Sequence, residues 1–297
     1  MKHIARILLP VLLIILLTGC TAPEPPAQIA ATTLPVYEFT QRICEGTGLT
    51  VTRLVTESVS CLHDYSLNVR QVRAAEAARV IVCSGAGLEE FLLDLPLTAD
   101  TLDASHGIEL LCPGDEHDHD DHDEHGHHSH RHEEDPHIWL SPENAMVMAG
   151  NICRELSTRY PEHAQLFADN LSCLLADLEA LQTYGEDTLR QLSCREMITF
   201  HDGFAYFAES FGLTILEAVE EESGSEASAQ TLKELILLVR EHNLPAIFIE
   251  TNGSVSAAEV IARETGAAVY TLDMAMSGES YFDAMYRNID TIKEAMG

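Results

Sequence analysis

The segment "PEHAQLFADNLSCLLADLEALQTYGEDTLRQL", residues 161–192, decides how the rest of the chain is interpreted. Its apolar positions repeat at intervals of four and three residues: Phe167, Leu171, Leu174, Leu178 and Leu181. That spacing places them on one face of a helix. We therefore predict one long linking helix over 161–191, a rod of about 45 Å at 1.5 Å per residue. Two helices broken near Gly185 fit the same pattern.

On both sides of this segment, short runs rich in β-branched residues alternate with amphipathic helical segments. The predicted strands cover 29–34, 49–55, 79–85 and 101–105 before the linking helix, and 196–201, 213–219, 246–250 and 268–274 after it. The predicted helices between them cover 36–48, 68–78, 203–212, 228–243, 256–266 and 280–296. This alternation indicates an α/β protein with two (β/α) lobes, which we expect to span residues 29–160 and 192–297.

Capping residues support several helix boundaries. Ser141 suits an N-cap, with Pro142 beginning the helix after it. Ser256 and Glu259 have the spacing of a capping box, and Gly266 suits the end of that helix.

The N-terminus "MKHIARILLPVLLIILLTGC", residues 1–20, has a basic start and an apolar run that is too short to span a membrane. Its last four residues resemble the lipobox of bacterial lipoproteins, in which the cysteine is lipidated. We therefore expect a signal peptide at 1–19, lipidation at Cys20 and a proline-rich tether at 20–28. The mature protein is then extracytoplasmic and anchored to the cell membrane by its lipid; an ordinary cleaved signal peptide is the alternative.

The net charge and the cysteine pattern argue against certain classes of ligand and of metal site. The formal net charge is −31, which disfavours binding to nucleic acid or to an anionic membrane surface and suits a soluble protein with a cationic ligand. We expect a monomer that contacts the membrane only through its lipid. Seven cysteines follow Cys20 without a C-x-x-C motif, so a thiolate zinc knuckle is not expected.

Residues 115–134 form a run of acidic residues and histidines with no apolar side chain. Such a composition cannot bury enough surface to offset the entropy of ordering, so we expect a disordered loop within the first lobe. We interpret its eight histidines as an auxiliary, weak metal-binding set: His117, His119, His122, His125, His127, His128, His130 and His132.

Four other residues are candidate metal ligands because of where they fall: His63, His137, His201 and Asp273. Three of them follow or end a predicted strand, and ligands gather outside the carboxyl ends of strands in open α/β sheets. For the histidines, a hydrogen-bonded role in a loop is the alternative. Glu250 ends a strand at the same edge of the sheet and is a candidate partner for the ring nitrogen of a ligating imidazole that does not face the metal, with a structural role as the alternative.

Six motifs of the chain resemble, in the same order, those of the metal-binding lipoproteins of bacterial ABC importers, of the zinc-specific ZnuA type (cluster A-I). They are "LHDY" (62–65), "SGAGLEEFL" (84–92), "DPHIWLSP" (135–142), "TFHDGFAYFAESFGL" (199–213), "IARETG" (261–266) and "SYFDAMYRNI" (280–289). The resemblance implies two lobes joined by one long rigid helix, with a single metal ion in the cleft between them. It also implies that the metal passes to a membrane permease driven by a cytoplasmic ATPase.

The same resemblance assigns the ligands to His63, His137, His201 and Asp273, with a water or a loop residue as the alternative to Asp273 in the fourth position. In manganese-binding members the position of His201 is usually glutamate. Three imidazoles and one carboxylate suit four-coordinate Zn²⁺ better than Mn²⁺, so we expect a zinc receptor, with a manganese receptor as the alternative.

Two other functional classes stay open at the level of sequence. A zinc-dependent hydrolase also uses three protein ligands, although no H-E-x-x-H motif occurs. A zinc buffer or chaperone would work through the histidine run. We expect a binding protein without catalytic residues.

Overall fold

The computed structural model describes residues 28–59, 62, 65–112, 134–219, 228–251, 253 and 255–297. The predicted signal peptide, the lipidation site Cys20 and the predicted tether lie almost entirely outside this part of the chain. His63 and the eight histidines of 115–134 also lie outside it.

Each predicted strand is present. The first lobe contains β1 (Ile29–Ala31), β2 (Val51–Arg53), β3 (Val80–Cys83) and β4 (Asp100–Asp103). The second contains β5 (Glu196–Thr199), β6 (Thr214–Ala218), β7 (Ala246–Glu250) and β8 (Ala268–Leu272).

The helices alternate with these strands. They are α1 (Leu34–Ile43), α2 (Val69–Ala77), α3 (Pro142–Arg159), α4 (Ala164–Leu189), α5 (Ala205–Phe211), α6 (Ala229–His242), α7 (Ser256–Thr265) and α8 (Tyr281–Met296). Short 3₁₀ turns cover Glu90–Leu92, Ile138–Leu140 and Pro161–His163.

The strands form two four-stranded parallel sheets, one in each lobe. Their orders are β2-β1-β3-β4 and β6-β5-β7-β8, so the second sheet repeats the arrangement of the first. Helices cover the faces of the sheets, and the central strands β1, β3 and β7 are buried along their whole length. The predicted α/β class with two (β/α) lobes is confirmed.

A single long helix, α4, joins the lobes as predicted. Its 26 residues correspond to about 39 Å. Phe167, Leu174, Leu178 and Leu181 are fully buried, and they belong to one large apolar cluster that draws side chains from both lobes. The helix is therefore part of the common core, which makes it a rigid connection.

Gly185 does not break α4. The residue is buried inside the helix, and a Cβ atom built on it would lie 2.2 Å from Cε1 of Phe211. The glycine thus allows the ring of Phe211, at the end of α5, to pack directly against the helix backbone.

The helix caps agree with the sequence in part. The Ser141 hydroxyl accepts a hydrogen bond from the Asn144 N–H, and Gly266 ends α7 with a φ of +84°. The predicted capping box of Ser256 is wrong, because Ser256 is already the first helical residue and Val255 is the N-cap. A capping box occurs instead at Asn68, with Gln71, before α2.

Within the described ranges, every helix is either too short or too polar to cross a membrane.

Candidate metal centre

His201 lies two residues beyond β5, at the carboxyl edge of the second sheet. It is only 2% exposed. Strand β7 lies beside β5 and ends at Glu250, which is 3% exposed. Glu250 Oε2 is 3.8 Å from His201 Nδ1, so the parallel pairing of the strands brings a carboxylate to the inner nitrogen of this imidazole.

His137 lies on the short segment that precedes α3. Its imidazole is 2% exposed, and its Nδ1 is 2.7 Å from Oδ1 of Asp135. The same carboxylate oxygen accepts the backbone N–H of His137 at 2.9 Å. Because a carboxylate oxygen is an acceptor, Nδ1 carries the proton and the lone pair is left on Nε2. Such carboxylate–histidine pairs fix the tautomer and ring direction of ligating histidines.

The two imidazoles face each other across the lobes. His137 Nε2 and His201 Nε2 are 3.4 Å apart, and the rings are nearly perpendicular, at 88°. A cation or a proton between these two nitrogens would satisfy both of them. At a Zn–N distance of about 2.05 Å and a tetrahedral angle, two ligating nitrogens lie about 3.3 Å apart. The donor set and its spacing therefore fit one bound Zn²⁺.

The pair is enclosed by apolar groups. The indole of Trp139 contacts the ring of His137 edge to face, with centroids 5.4 Å apart. A Cβ atom on Gly203 would lie 2.7 Å from Cε of Met274, 2.8 Å from Cδ2 of His201 and 3.0 Å from Cε1 of His137. Gly203 thus leaves space into which both imidazoles and a methionine methyl group pack.

Asp273 follows β8 directly and is partly exposed. Its Oδ1 accepts a hydrogen bond from the Ala275 N–H at 2.8 Å, and its Oδ2 is 3.5 Å from the guanidinium of Arg287. Among the described residues, no group of three His, Cys, Asp or Glu side chains is arranged to hold a metal ion. The structure therefore brings together His137 and His201, while His63 and Asp273 stay predictions as ligands.

The other described histidines lie apart from this pair. His106 is exposed beyond β4, and His163 contacts the ring of Phe167. His242 ends α6, and its Nδ1 is 2.9 Å from Glu196 Oε2. The six cysteines of the described ranges are free thiols.

Sequence reasoning missed Asp135 and Gly203. Asp135 reads as one more acid at the end of a strongly acidic run, and its only distinguishing signal is its place two residues before a candidate ligand. Gly203 has the corresponding place two residues after His201. Both are recognisable only once the ligands are assigned.

A third buried carboxylate, Glu89, lies at the carboxyl edge of the first sheet. Glu89 Oε1 accepts hydrogen bonds from the Thr32 hydroxyl and the Ser84 N–H, both at 2.7 Å, and its Oε2 accepts the Gly85 N–H at 3.1 Å. Burial raises the pKa of this carboxyl to about 7, against the opposing effect of these bonds. Glu89 therefore ties the ends of β1 and β3 together.

Comparison with known proteins identifies the family. The family model described as "Zinc-uptake complex component A periplasmic" matches residues 29–295. The chain belongs to this family. The resemblance inferred from the six motifs is confirmed.

Individual relatives match over most of the chain. The zinc-binding lipoprotein AdcA of Streptococcus pneumoniae (serotype 4, strain TIGR4) is 30% identical over 99% of this chain, which spans 61% of the length of AdcA. The high-affinity zinc uptake system protein ZnuA of Bacillus subtilis (strain 168) is 30% identical, with 90% of this chain and 87% of the relative covered. A crystal structure of ZnuA superimposes with a TM-score of 0.75 at 30% identity, covering 91% of this chain and all of the other.

Proposed function

We propose that the protein is an extracytoplasmic receptor that binds Zn²⁺ with high affinity and delivers it to the permease of an ABC importer. Membership of the zinc-uptake family supports this role, as do relatives named for zinc binding and zinc uptake. Zinc is the cargo, and the protein holds it without changing it chemically.

The observation that carries the proposal is the His137–His201 pair. Two buried imidazoles, one before α3 and one after β5, present Nε2 atoms 3.4 Å apart. Each has a carboxylate near its other nitrogen, Asp135 in one case and Glu250 in the other. Each imidazole can therefore direct a nitrogen lone pair toward one point between the lobes, which is what an ion-binding cleft requires.

We further propose that His63 and Asp273 complete the shell. The resemblance supports His63, and the position of Asp273 at the carboxyl end of β8, in the same sheet as His201, supports the aspartate. A shell of three imidazoles and one carboxylate favours Zn²⁺ over Mn²⁺, which prefers more oxygen ligands.

We also propose that the mature chain is held at the outer face of the cell membrane by a lipid on Cys20. The permease and its cytoplasmic ATPase are then the partners. Residues 115–134 serve in this proposal as a weak collector of zinc beside the cleft, and the lobes contain the tight site.

Zinc titration of ligand variants tests the metal site. The full chain, freed of metal, is titrated with Zn²⁺ against a chromophoric chelator. His137→Ala and His201→Ala should each weaken binding by more than the roughly 10- to 100-fold loss typical of a residue that only positions a ligand. His106→Ala, which changes an exposed histidine away from the pair, should leave the affinity unchanged. Unaltered affinity in both ligand variants would refute the site.

The family favours a binding protein over a hydrolase, and turnover assays separate the two classes. The zinc-loaded chain should not hydrolyse generic ester or peptide substrates faster than the same chain with His201→Ala. Metal-dependent turnover that is lost in the variant would replace the receptor by an enzyme.

A further inference from the structure

Tyr206 joins the two ends of the segment that contains the histidine run. The Asp135 N–H donates to the Leu111 carbonyl at 2.8 Å. The Tyr206 hydroxyl accepts the Leu111 N–H at 2.9 Å and donates to the Asp135 carbonyl at 3.0 Å. Leu111 and Asp135 belong to the first lobe, whereas Tyr206 lies on α5 in the second. One hydroxyl of the second lobe thus helps to hold Leu111 and Asp135 together, and we call this junction the neck.

The tyrosine is suited to act as a donor. It is 2% exposed, and burial raises the pKa of its phenol to about 12. The hydroxyl therefore keeps its proton at neutral pH. Since both of its backbone partners are fixed by one atom, loss of the hydroxyl would leave the Asp135 carbonyl and the Leu111 N–H each without this partner in a buried place.

Asp135 carries this contact to the metal centre. Its carbonyl accepts the Tyr206 hydroxyl, while its carboxylate accepts the backbone N–H and the Nδ1–H of His137. Asp135 is 4% exposed, so its side chain has little freedom. The line of hydrogen bonds runs from Tyr206 through Asp135 to the imidazole whose Nε2 faces His201.

The second lobe also holds the residues that follow His137. The Trp139 indole N–H donates to the Met274 carbonyl, and the Tyr281 hydroxyl donates to the Trp139 carbonyl, both at 2.8 Å. These bonds fix the segment beyond His137. Tyr206 fixes it before His137, at the residue that orients the imidazole.

We propose that Tyr206 is a positioning residue for the metal site, acting on His137 through Asp135. The proposal rests on the proposed function of the His137–His201 pair. Partners beyond the ligands change metal affinity by about 10- to 100-fold when removed. Because Tyr206 acts one bond further out, Tyr206→Phe should weaken Zn²⁺ binding by about tenfold, at the lower end of that range.

A double-mutant cycle separates positioning from a purely structural contribution. Zn²⁺ affinity is measured for the full chain, for Tyr206→Phe, for Asp135→Ala and for the double variant. If Tyr206 acts through Asp135, its change should cost about tenfold in the native chain and almost nothing beside Asp135→Ala. An equal loss in both backgrounds would overturn the proposal.

The phenyl ring preserves the packing of Tyr206, so we expect Tyr206→Phe to fold, and its thermal unfolding midpoint without metal checks this. Tyr184→Phe is the matched control, because Tyr184 is an exposed residue of α4 whose hydroxyl donates to Asp290 of α8. It should bind Zn²⁺ as tightly as the native chain. If Tyr206→Phe bound Zn²⁺ as tightly as the native chain while His137→Ala bound it more weakly, only the role of Tyr206 would be refuted. Native affinity of His137→Ala would refute the metal site itself.

The absorption of bound Co²⁺ adds a readout of ligand geometry. A displaced His137 should change the intensity of the visible bands in Tyr206→Phe and leave them unchanged in Tyr184→Phe. Identical spectra for the native chain and Tyr206→Phe would count against the proposal.

Discussion

Gly185→Ala should destabilise the protein, although alanine is the better helix former. The substitution adds one methyl group inside α4. That group would lie 2.2, 2.6 and 2.9 Å from Cε1, Cζ and Cδ1 of Phe211. Carbon atoms normally approach no closer than about 3.5 Å, so the ring would have to move by more than 1 Å.

The ring has little room to move. Phe211 is 5% exposed and packs edge to face against Phe207, with centroids 4.8 Å apart. Overpacking of this kind costs about 1–3 kcal/mol, and three close contacts favour the upper part of that range. The helix preference of alanine offsets up to about 1 kcal/mol. We therefore expect the free energy of unfolding to fall by about 1–2 kcal/mol, with a midpoint about 2–8 °C lower.

Urea unfolding followed by circular dichroism measures the change, and Gly150→Ala provides the matched control. Gly150 also lies within a helix, α3, but a Cβ atom there would have no neighbour within 4 Å. This control should stabilise the protein by about 0.5–1 kcal/mol. If Gly185→Ala stabilised the protein as much as Gly150→Ala, the assigned role of Gly185 would be wrong.

A second substitution locates the cause. Phe211→Leu replaces the ring by a smaller side chain and should alone lower the free energy of unfolding by about 1–2 kcal/mol. In the presence of Phe211→Leu, the alanine at position 185 should no longer destabilise. Additive losses in the double variant would show that the methyl group and the ring do not interact.

Two further predictions concern pH and the histidine run. Since burial raises the pKa of Glu89 to about 7, this group stabilises the fold most below its unfolded pKa and loses that contribution as pH rises through 7. The free energy of unfolding of the native chain should therefore fall by an amount on the order of 3 kcal/mol between pH 5 and pH 8. Glu89→Gln should remove this decrease, whereas the control Glu90→Gln, at an exposed site, should retain it. Parallel pH profiles for all three proteins would contradict the assignment. Deletion of residues 115–134 should lower the number of weakly bound Zn²⁺ ions and leave one tight site, as equilibrium dialysis can measure; loss of the tight site would favour a zinc buffer.

The fold was predictable because its signals are local. A buried parallel strand such as β7, "AIFIE", and an apolar stripe such as that of α4 are each legible without knowledge of the partner. Parallel strands then bring their carboxyl ends to one edge, which explains why His201 and Glu250 were expected at the same place.

Other features depend on contacts between residues far apart in sequence. The role of Gly185 depends on where Phe211 packs, and the role of Asp135 depends on a tyrosine in the other lobe. The failed capping box at Ser256 has a different origin. Ser256 is the first residue of α7 and Val255 is its N-cap, so the predicted start is wrong by one residue, a difference that rests on small capping energies.

The neck between Leu111 and Asp135 also separates the chain that lies between these two residues from the geometry of the metal site. A backbone bond and a hydroxyl from the other lobe fix both ends, so the length of chain between them does not enter the geometry of His137. The entropic cost of closing a loop rises slowly, by only about 0.6 kcal/mol for each doubling of its length. The neck can therefore accept insertions of different length or charge while the positions of Asp135 and His137 stay the same.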